Sequence, residues 1–317
     1  MGRRALILAI GLLLLAGVPP VAALMNQPFY LDLIRRMMIF AIAALSLNLI
    51  LGYGGMVSFG HAAYLGVGAY AVGVLAHHGV DSGWLQWALA IAASALVALM
   101  IGAISIRTSG IYFIMITLAF TQMLYYLGIS IEEYGGDDGM PLATKSQFSG
   151  LVDLGNPTAF YYLVLGLLIA CLWFSHRLVN SRFGMVIRAS KSNDPRTRAI
   201  GFSPYLYRLA AFVIAGAMCG LAGALLVNQT AYVTPEFMNW TRSGELMFMV
   251  IMGGMATPAG PVLGAFALLL LEDVLSAMTQ HWQIILGPIL ILVVLFARRG
   301  LAGLLLGERE GGGGSHG

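Results

Sequence analysis

The sequence predicts an all-helical, polytopic membrane protein of about ten transmembrane helices in two inverted five-helix halves. Three observations carry that prediction. Of the 317 residues 59% are hydrophobic and only 10% charged, with a mean hydropathy of +0.85, too apolar a composition to clothe a water-facing surface. The apolar residues are gathered into runs, most of them long enough to cross a bilayer. The basic residues lie in short connections between those runs, where they act as a topology signal rather than as a nucleic-acid-binding face.

The runs fall at residues 5–24, 31–52, 61–77, 84–106, 111–131, 158–178, 205–228, 244–257, 260–279 and 282–298. With the N-terminus cytoplasmic and the spans alternating, all of the 17 basic residues except Arg35, Arg36, Lys145 and Arg242 lie inside, as the positive-inside rule requires. The loop holding Glu132, Glu133, Asp137, Asp138 and Asp153 then lies outside, and both termini are cytoplasmic. Residues 1–23 also read as a secretory signal, with a basic start, an apolar centre and small residues before Ala23; that alternative leaves nine spans. Residues 1–310 form one transmembrane domain, with half one at about 5–131, half two at about 158–298 and a cytoplasmic loop at 179–204; residues 311–317 read as a flexible tail.

Ten alternating spans divide into halves of opposite orientation, a common transporter plan. The third span of each half is short and broken by glycine: "GYGGMVSFGHAAYLGVGAY" at 52–70 and "GELMFMVIMGGMATPAGPVLGA" at 244–265. Broken backbone at membrane depth persists only where it lines a cavity or is buried in protein, so Ser58, Gly60 and His61 in the first break and Gly253, Gly254 and Thr257 in the second are candidates for a substrate pathway. Asn48 and Gln122, polar within spans two and five, either join helices or face that pathway. The small-xxx-small pairs Ala62/Gly66, Gly216/Gly220 and Gly260/Gly264 equally suit close helix packing.

Motifs for other chemistry fail on context. "GVGAYA" matches a dinucleotide fingerprint but follows no strand. Neither lysine, Lys145 nor Lys191, sits in a Gly-Lys-Ser/Thr loop, so the chain lacks a P-loop of its own. Cys171 and Cys219 are buried thiols within apolar runs, and no spacing of His, Cys, Asp or Glu suggests a metal site. Glu272 and Asp273 read either as a proton-relay pair or as solvated acids at a span end.

One stretch breaks the apolar pattern. "SKSNDPRTRAIG" lies in the loop from Arg177 to Arg208, which holds seven of the 17 basic residues. Asp194 reads as the cap of a one- to two-turn helix with Pro195 as its first residue and Gly201 as its stop. Such a helix is too short to stand alone in water. Ala199 and Ile200 supply apolar contact and Arg196 and Arg198 charge, which suits a groove on another protein; an ordinary basic loop touching lipid headgroups is the alternative.

Taken in order, "LNLILGYGGMVSFGHAAYLGVGAYAVG", "YGGDDGM", "SRFGMVIRASKSNDPRTRAIGFSPYLYRLAAFVIAGAMCGLAGALL", "MGGMATPAGPVLGA" and "LFARRGLAGLL" resemble the branched-chain amino acid ABC transporter permease family, in its LivM-type subunit, over about residues 30–306. The resemblance implies a fold similar to type II ABC importer permeases in the bacterial inner membrane. It implies a LivH-like second permease, two cytoplasmic P-loop ATPases carrying the ATP and magnesium, and a periplasmic substrate-binding protein. The chain itself would then hold no cofactor and catalyse nothing, with lipid around it and no nucleic-acid partner. Residues 194–201 correspond in that family to the coupling helix seated in the ATPase. Met56, Phe59, Ala256 and Pro258 depart from the family pattern and leave the substrate open among branched-chain amino acids, urea, short amides and aromatic acids. A stand-alone secondary transporter or channel for a small polar solute is the other functional reading; an ion-driven carrier or a membrane enzyme calls for buried titratable groups at mid-span, and the spans have almost none.

Overall fold

Every apolar run read from the sequence contains a helix in the computed structural model, which describes residues 3–25, 28–142, 144–150, 153–296 and 300–306. The tail 311–317 and three of the basic residues assigned inside, Arg298, Arg299 and Arg309, lie outside the described residues. In chain order the helices are α1 (Arg3–Met25), α2 (Pro28–Asn48, continued by a π turn, Leu49–Tyr53), α3 (His61–His77), α4 (Gly83–Ser105), α5 (Ile111–Ser130) and α6 (Pro157–Val179). Two short helices follow, α7 (Arg182–Ser192) and α8 (Asp194–Ala199), and then α9 (Pro204–Thr230), α10 (Trp240–Gly253), α11 (Gly260–Met278), α12 (Trp282–Phe296) and α13 (Gly300–Leu306).

Six helices among the described residues are long and apolar enough to cross a membrane: α2 with its π turn, α4, α5, α6, α9 and α11. The two that follow or precede the breaks are shorter for a physical reason. The 17 residues of α3 and the 14 of α10 extend about 26 and 21 Å at about 1.5 Å per residue, less than the roughly 30 Å of a hydrocarbon core. Each meets the glycine-rich backbone of a break at one end, α3 at its start and α10 at its close.

The core runs along α2 and α9, which are mostly buried, while α4, α5, α6 and α11 leave much of their apolar surface outward. Small residues let the central backbones touch. A Cβ on Gly68 of α3 would run into the Gly220 carbonyl of α9, one on Gly223 into the Leu65 carbonyl, and one on Gly220 into Ser94 of α4. Gly264 likewise meets the Met249 carbonyl, pressing α11 onto α10. Gly220 and Gly264 thus sit at close helix contacts, while Gly260 packs on the break that precedes it. Without a hydrophobic drive inside lipid, such close backbone contact supplies the dispersion energy that holds helices together.

At one end of the molecule two short strands, β1 (Met140–Pro141) and β2 (Tyr232–Val233), pair antiparallel with Met140 opposite Val233. They fasten the loop after α5 to the loop after α9. Gly135, Gly136 and Gly139, all at positive φ, turn the acidic "YGGDDGM" segment so that Tyr232 donates to the Asp138 carbonyl at 2.7 Å.

At the other end lie α7 and α8, and here one expectation is corrected. The cap of α8 is Asn193, not Asp194. Asn193 is extended (φ −156°, ψ 100°), so its side-chain oxygen accepts from Arg196 N at 2.9 Å, whereas Asp194 is already the first helical residue and Pro195 the second. The Asp194 carboxylate turns away from the helix end and pairs with Arg198 at 2.8 Å and Arg208 of α9 at 3.2 Å. Gly201, at φ +91°, ends the helix as anticipated, its N–H donating to the Arg198 carbonyl at 2.9 Å.

Candidate functional site

The first break begins inside α2. Its last turn widens into the π turn Leu49–Tyr53, Gly55 takes φ +70°, and the chain runs non-helically to Gly60 before α3 starts at His61. Backbone groups freed this way inside apolar protein need partners. Side chains from three helices supply them. Phe59 N donates to Thr117 Oγ1 at 3.3 Å, and the Phe59 carbonyl accepts from Ser243 Oγ at 2.7 Å and from Thr121 Oγ1 at 3.1 Å. Ala62 N donates to Ser243 Oγ at 2.9 Å and Gly60 N to Ser58 Oγ at 3.1 Å. His61 places Nε2 at 2.9 Å from Ser46 Oγ, its ring edge-on to Tyr64.

The second break, residues 254–259, is tied by two side chains. Thr257 Oγ1 donates to the Gly254 carbonyl at 2.8 Å and accepts from Gly260 N at 3.1 Å. Asn48 reaches across from α2: its Oδ1 accepts from Ala256 N and its Nδ2 donates to the Thr257 carbonyl, both at 3.0 Å. Gly254 needs its freedom at φ +114°, and Gly253 is packed so closely on the Gly260 carbonyl that no Cβ fits.

The candidate residues thus form two groups, Ser58, Gly60 and His61 at one break and Gly253, Gly254 and Thr257 at the other, with Asn48 clasping the second from α2. All are buried, and the side chains of Asn48, Ser58 and Thr257 bond the broken backbone, whereas His61 bonds the Ser46 side chain and leaves Nδ1 without a partner. Surface at the breaks comes from their neighbours: Gly55, Met255 and Ala256 are exposed, Val57, Phe59 and Pro258 partly so. Phe59 lies 6.4 Å from Trp240, ring centroid to ring centroid, on that outer side. Three of the four positions that depart from the family pattern, Phe59, Ala256 and Pro258, therefore sit where the breaks meet their surroundings, and Met56 is buried.

Thr117, Thr121, Ser243 and Ser46 were not singled out in the sequence. The signal available was weak: Thr117 and Thr121, four apart, share one helical face within an apolar run. Gln122 is half-buried, with no partner for its Nε2. Glu272 stands within electrostatic reach of Arg36, Glu245, Arg242 and Asp273, and Arg242 pairs with Glu245 at 2.9 Å.

On the face carrying α7 and α8, Ala199 and Ile200 project outward, Ile200 66% exposed, and Phe202 stands beside them at 42%, while Thr197 turns inward. A recess of about 220 Å³ opens near them, lined by Gly54, Gly55, Thr108, Ser109, Lys191 and Arg208 among others.

Long apolar helices gathered around two interrupted ones are the architecture of a multi-pass membrane protein. The chain belongs to the family described as branched-chain amino acid transport system / permease component, whose model matches residues 29–295. It is 26% identical over 293 residues to the high-affinity branched-chain amino acid transport system permease protein LivM of Salmonella typhimurium, covering 85% of this chain and 69% of that one. Over 303 residues it is 26% identical to the probable branched-chain amino acid transport permease protein LivM of Methanocaldococcus jannaschii, covering 81% and 85%. Similarity extends to the autoinducer 2 import system permease protein LsrC of Salmonella paratyphi B, 30% identical over 189 residues, 55% of this chain and 52% of that one. No solved structure matches.

Proposed function

We propose that this chain is one of two membrane-spanning subunits of an ATP-driven importer for branched-chain or other hydrophobic amino acids or related small amides. In this reading it crosses the cytoplasmic membrane ten times in two inverted halves, with both termini inside. It pairs with a LivH-like permease, receives substrate from a periplasmic binding protein, and is driven by two cytoplasmic ATPase subunits that carry ATP and magnesium.

The observation that carries the reading is α8. Six residues make too short a helix to be stable alone, yet it is capped at Asn193, stopped at Gly201 and presents Ala199, Ile200 and Phe202 to the outside between arginines. Exposed isoleucine and phenylalanine flanking a capped helix suit a groove on a partner. The substrate route runs along the exposed edges of the two breaks, where Phe59, Trp240, Ala256 and Pro258 face the second permease. The buried residues Asn48, Ser58, Gly60, His61, Gly253, Gly254 and Thr257 set the shape of that route by holding the backbone.

The test is reconstitution of the chain with its genomic neighbours in proteoliposomes, with the binding protein outside and ATP inside. Uptake of radiolabelled leucine, isoleucine or valine that needs both ATP and the binding protein supports the reading. Uptake by the chain alone, driven by an ion gradient or running down the solute gradient, refutes it in favour of a stand-alone carrier or channel.

A further inference from the structure

We propose that Lys191 is a positioning residue that transmits movement of α8 to both helix breaks, an inference that rests on the ATP-driven reading above. Lys191 is the penultimate residue of α7, three positions before α8. Its Nζ crosses 139 residues of sequence to donate to the Gly52 carbonyl at 2.8 Å. That carbonyl belongs to the π turn at the end of α2, where the last carbonyls of a helix have no helical donor left to accept from and a cation is favoured. The lysine stem lies along Gly55: a Cβ there would come within 2.9 Å of Lys191 Cγ. Gly55 therefore gives the break its positive φ and leaves the groove in which the lysine runs.

The other side of Gly52 is equally committed. A Cβ on it would strike Asn48 Oδ1 and Ala256 N, the two atoms of the clasp that ties the second break to α2. Gly52 is thus held on two sides, by the hydrogen bond from Lys191 to its carbonyl and by close packing against the Asn48 clasp of the second break, so that one turn touches both breaks. π turns interrupt the regular ladder and recur at functional sites. At the far end the arm is fastened as a unit. Asn193 N bonds the Ala189 carbonyl at 2.9 Å, and Arg208 donates to the Ser190 carbonyl at 2.9 Å while pairing with Asp194, so α7, α8 and the start of α9 are fastened together. The recess beside Lys191, bounded by Thr108, Ser109 and Gly110, gives its side chain space to swing. Packed side chains and hydrogen bonds that join two sites are the physical form coupling takes.

The experiment uses the complete reconstituted transporter and measures leucine transported per ATP hydrolysed, with ATPase co-purification and membrane level alongside. K191M removes the donor and keeps the stem; K191R keeps a donor of similar reach. The expected result is at least a tenfold fall in leucine per ATP for K191M, with ATPase association and hydrolysis retained, and recovery of most of the ratio in K191R. Wild-type stoichiometry in K191M overturns the proposal, as does loss of ATPase association, which would make Lys191 part of the docking surface. If K191M fails to accumulate, K191Q, a donor on a stem too short for Gly52, takes its place under the same two outcomes. A wild-type complex without ATP-driven uptake would overturn the parent reading and this inference together; a coupled wild type with a coupled K191M overturns this inference alone.

Discussion

The amide of Asn48 holds the second break in place, satisfying one donor and one acceptor that no helix can satisfy. Asn48→Leu leaves Ala256 N and the Thr257 carbonyl unpaired in a buried setting, and each such group costs about 1–3 kcal/mol. The expected outcome is a clear drop in the thermal midpoint of the purified protein in detergent. A midpoint unchanged in Asn48→Leu would mean that water or a rearranged backbone replaces the clasp. Ala256 gives the opposite sign. It sits at φ +58°, a conformation that L-residues other than glycine adopt at a cost of about 1–2 kcal/mol. Ala256→Gly, the residue type the family pattern favours near this point, should raise the same midpoint, offset in part by the greater freedom glycine has when unfolded. Ser58 and His61 were legible as residues that need partners; which partners was not, because Ser46, Thr117, Thr121 and Ser243 come from runs up to 185 positions away from Ser58 and carry no local signature.

Among the elements, the apolar runs and their glycine interruptions could be read with bounds close to those observed, since hydropathy and helix-breaking glycine are local properties. The cap of α8 could not. Asn193 and Asp194 are both good caps, and only the backbone angles of Asn193 decide between them. Asn193→Ala should therefore weaken α8 by about 1 kcal/mol, whereas Asp194→Ala leaves the cap intact and instead unties α8 from Arg208 of α9. Titrating the ATPase subunits should show weaker affinity for Asn193→Ala than for wild type; unchanged affinity would mean that the Asn193 cap does not support the docked form of α8. The contact of α3 with α9 offers a second check. Gly223→Leu drives a side chain into the Leu65 carbonyl, and overpacking of this kind typically costs 1–3 kcal/mol, roughly. Reduced recovery of folded protein is expected from Gly223→Leu and none from Gly166→Leu, whose Cβ meets nothing within 4 Å.

For the whole molecule, the charge distribution and the ten runs predict that the strand-bearing end and the α7–α8 end lie on opposite sides of the membrane. Single cysteines at Asp138 and Ser192, in a chain with Cys171 and Cys219 replaced by serine or alanine, should react with an impermeant reagent from opposite sides, as α6 alone separates their loops. Labelling of both from outside would break the inverted-half arrangement. The central claim is that a partner ATPase grips this chain at α8, and Ile200→Asp tests it most directly. The substitution puts a carboxylate on the exposed apolar tip, where an apolar groove on the partner would have to bury it without a counter-ion, at a cost of several kcal/mol. Ile200 lies outside the long apolar helices, so insertion and folding should be unchanged. The account predicts normal membrane levels of Ile200→Asp, loss of ATPase co-purification and a matching loss of ATP-dependent uptake. Full ATPase association and full uptake in that variant would contradict it and leave α8 a surface loop of the membrane.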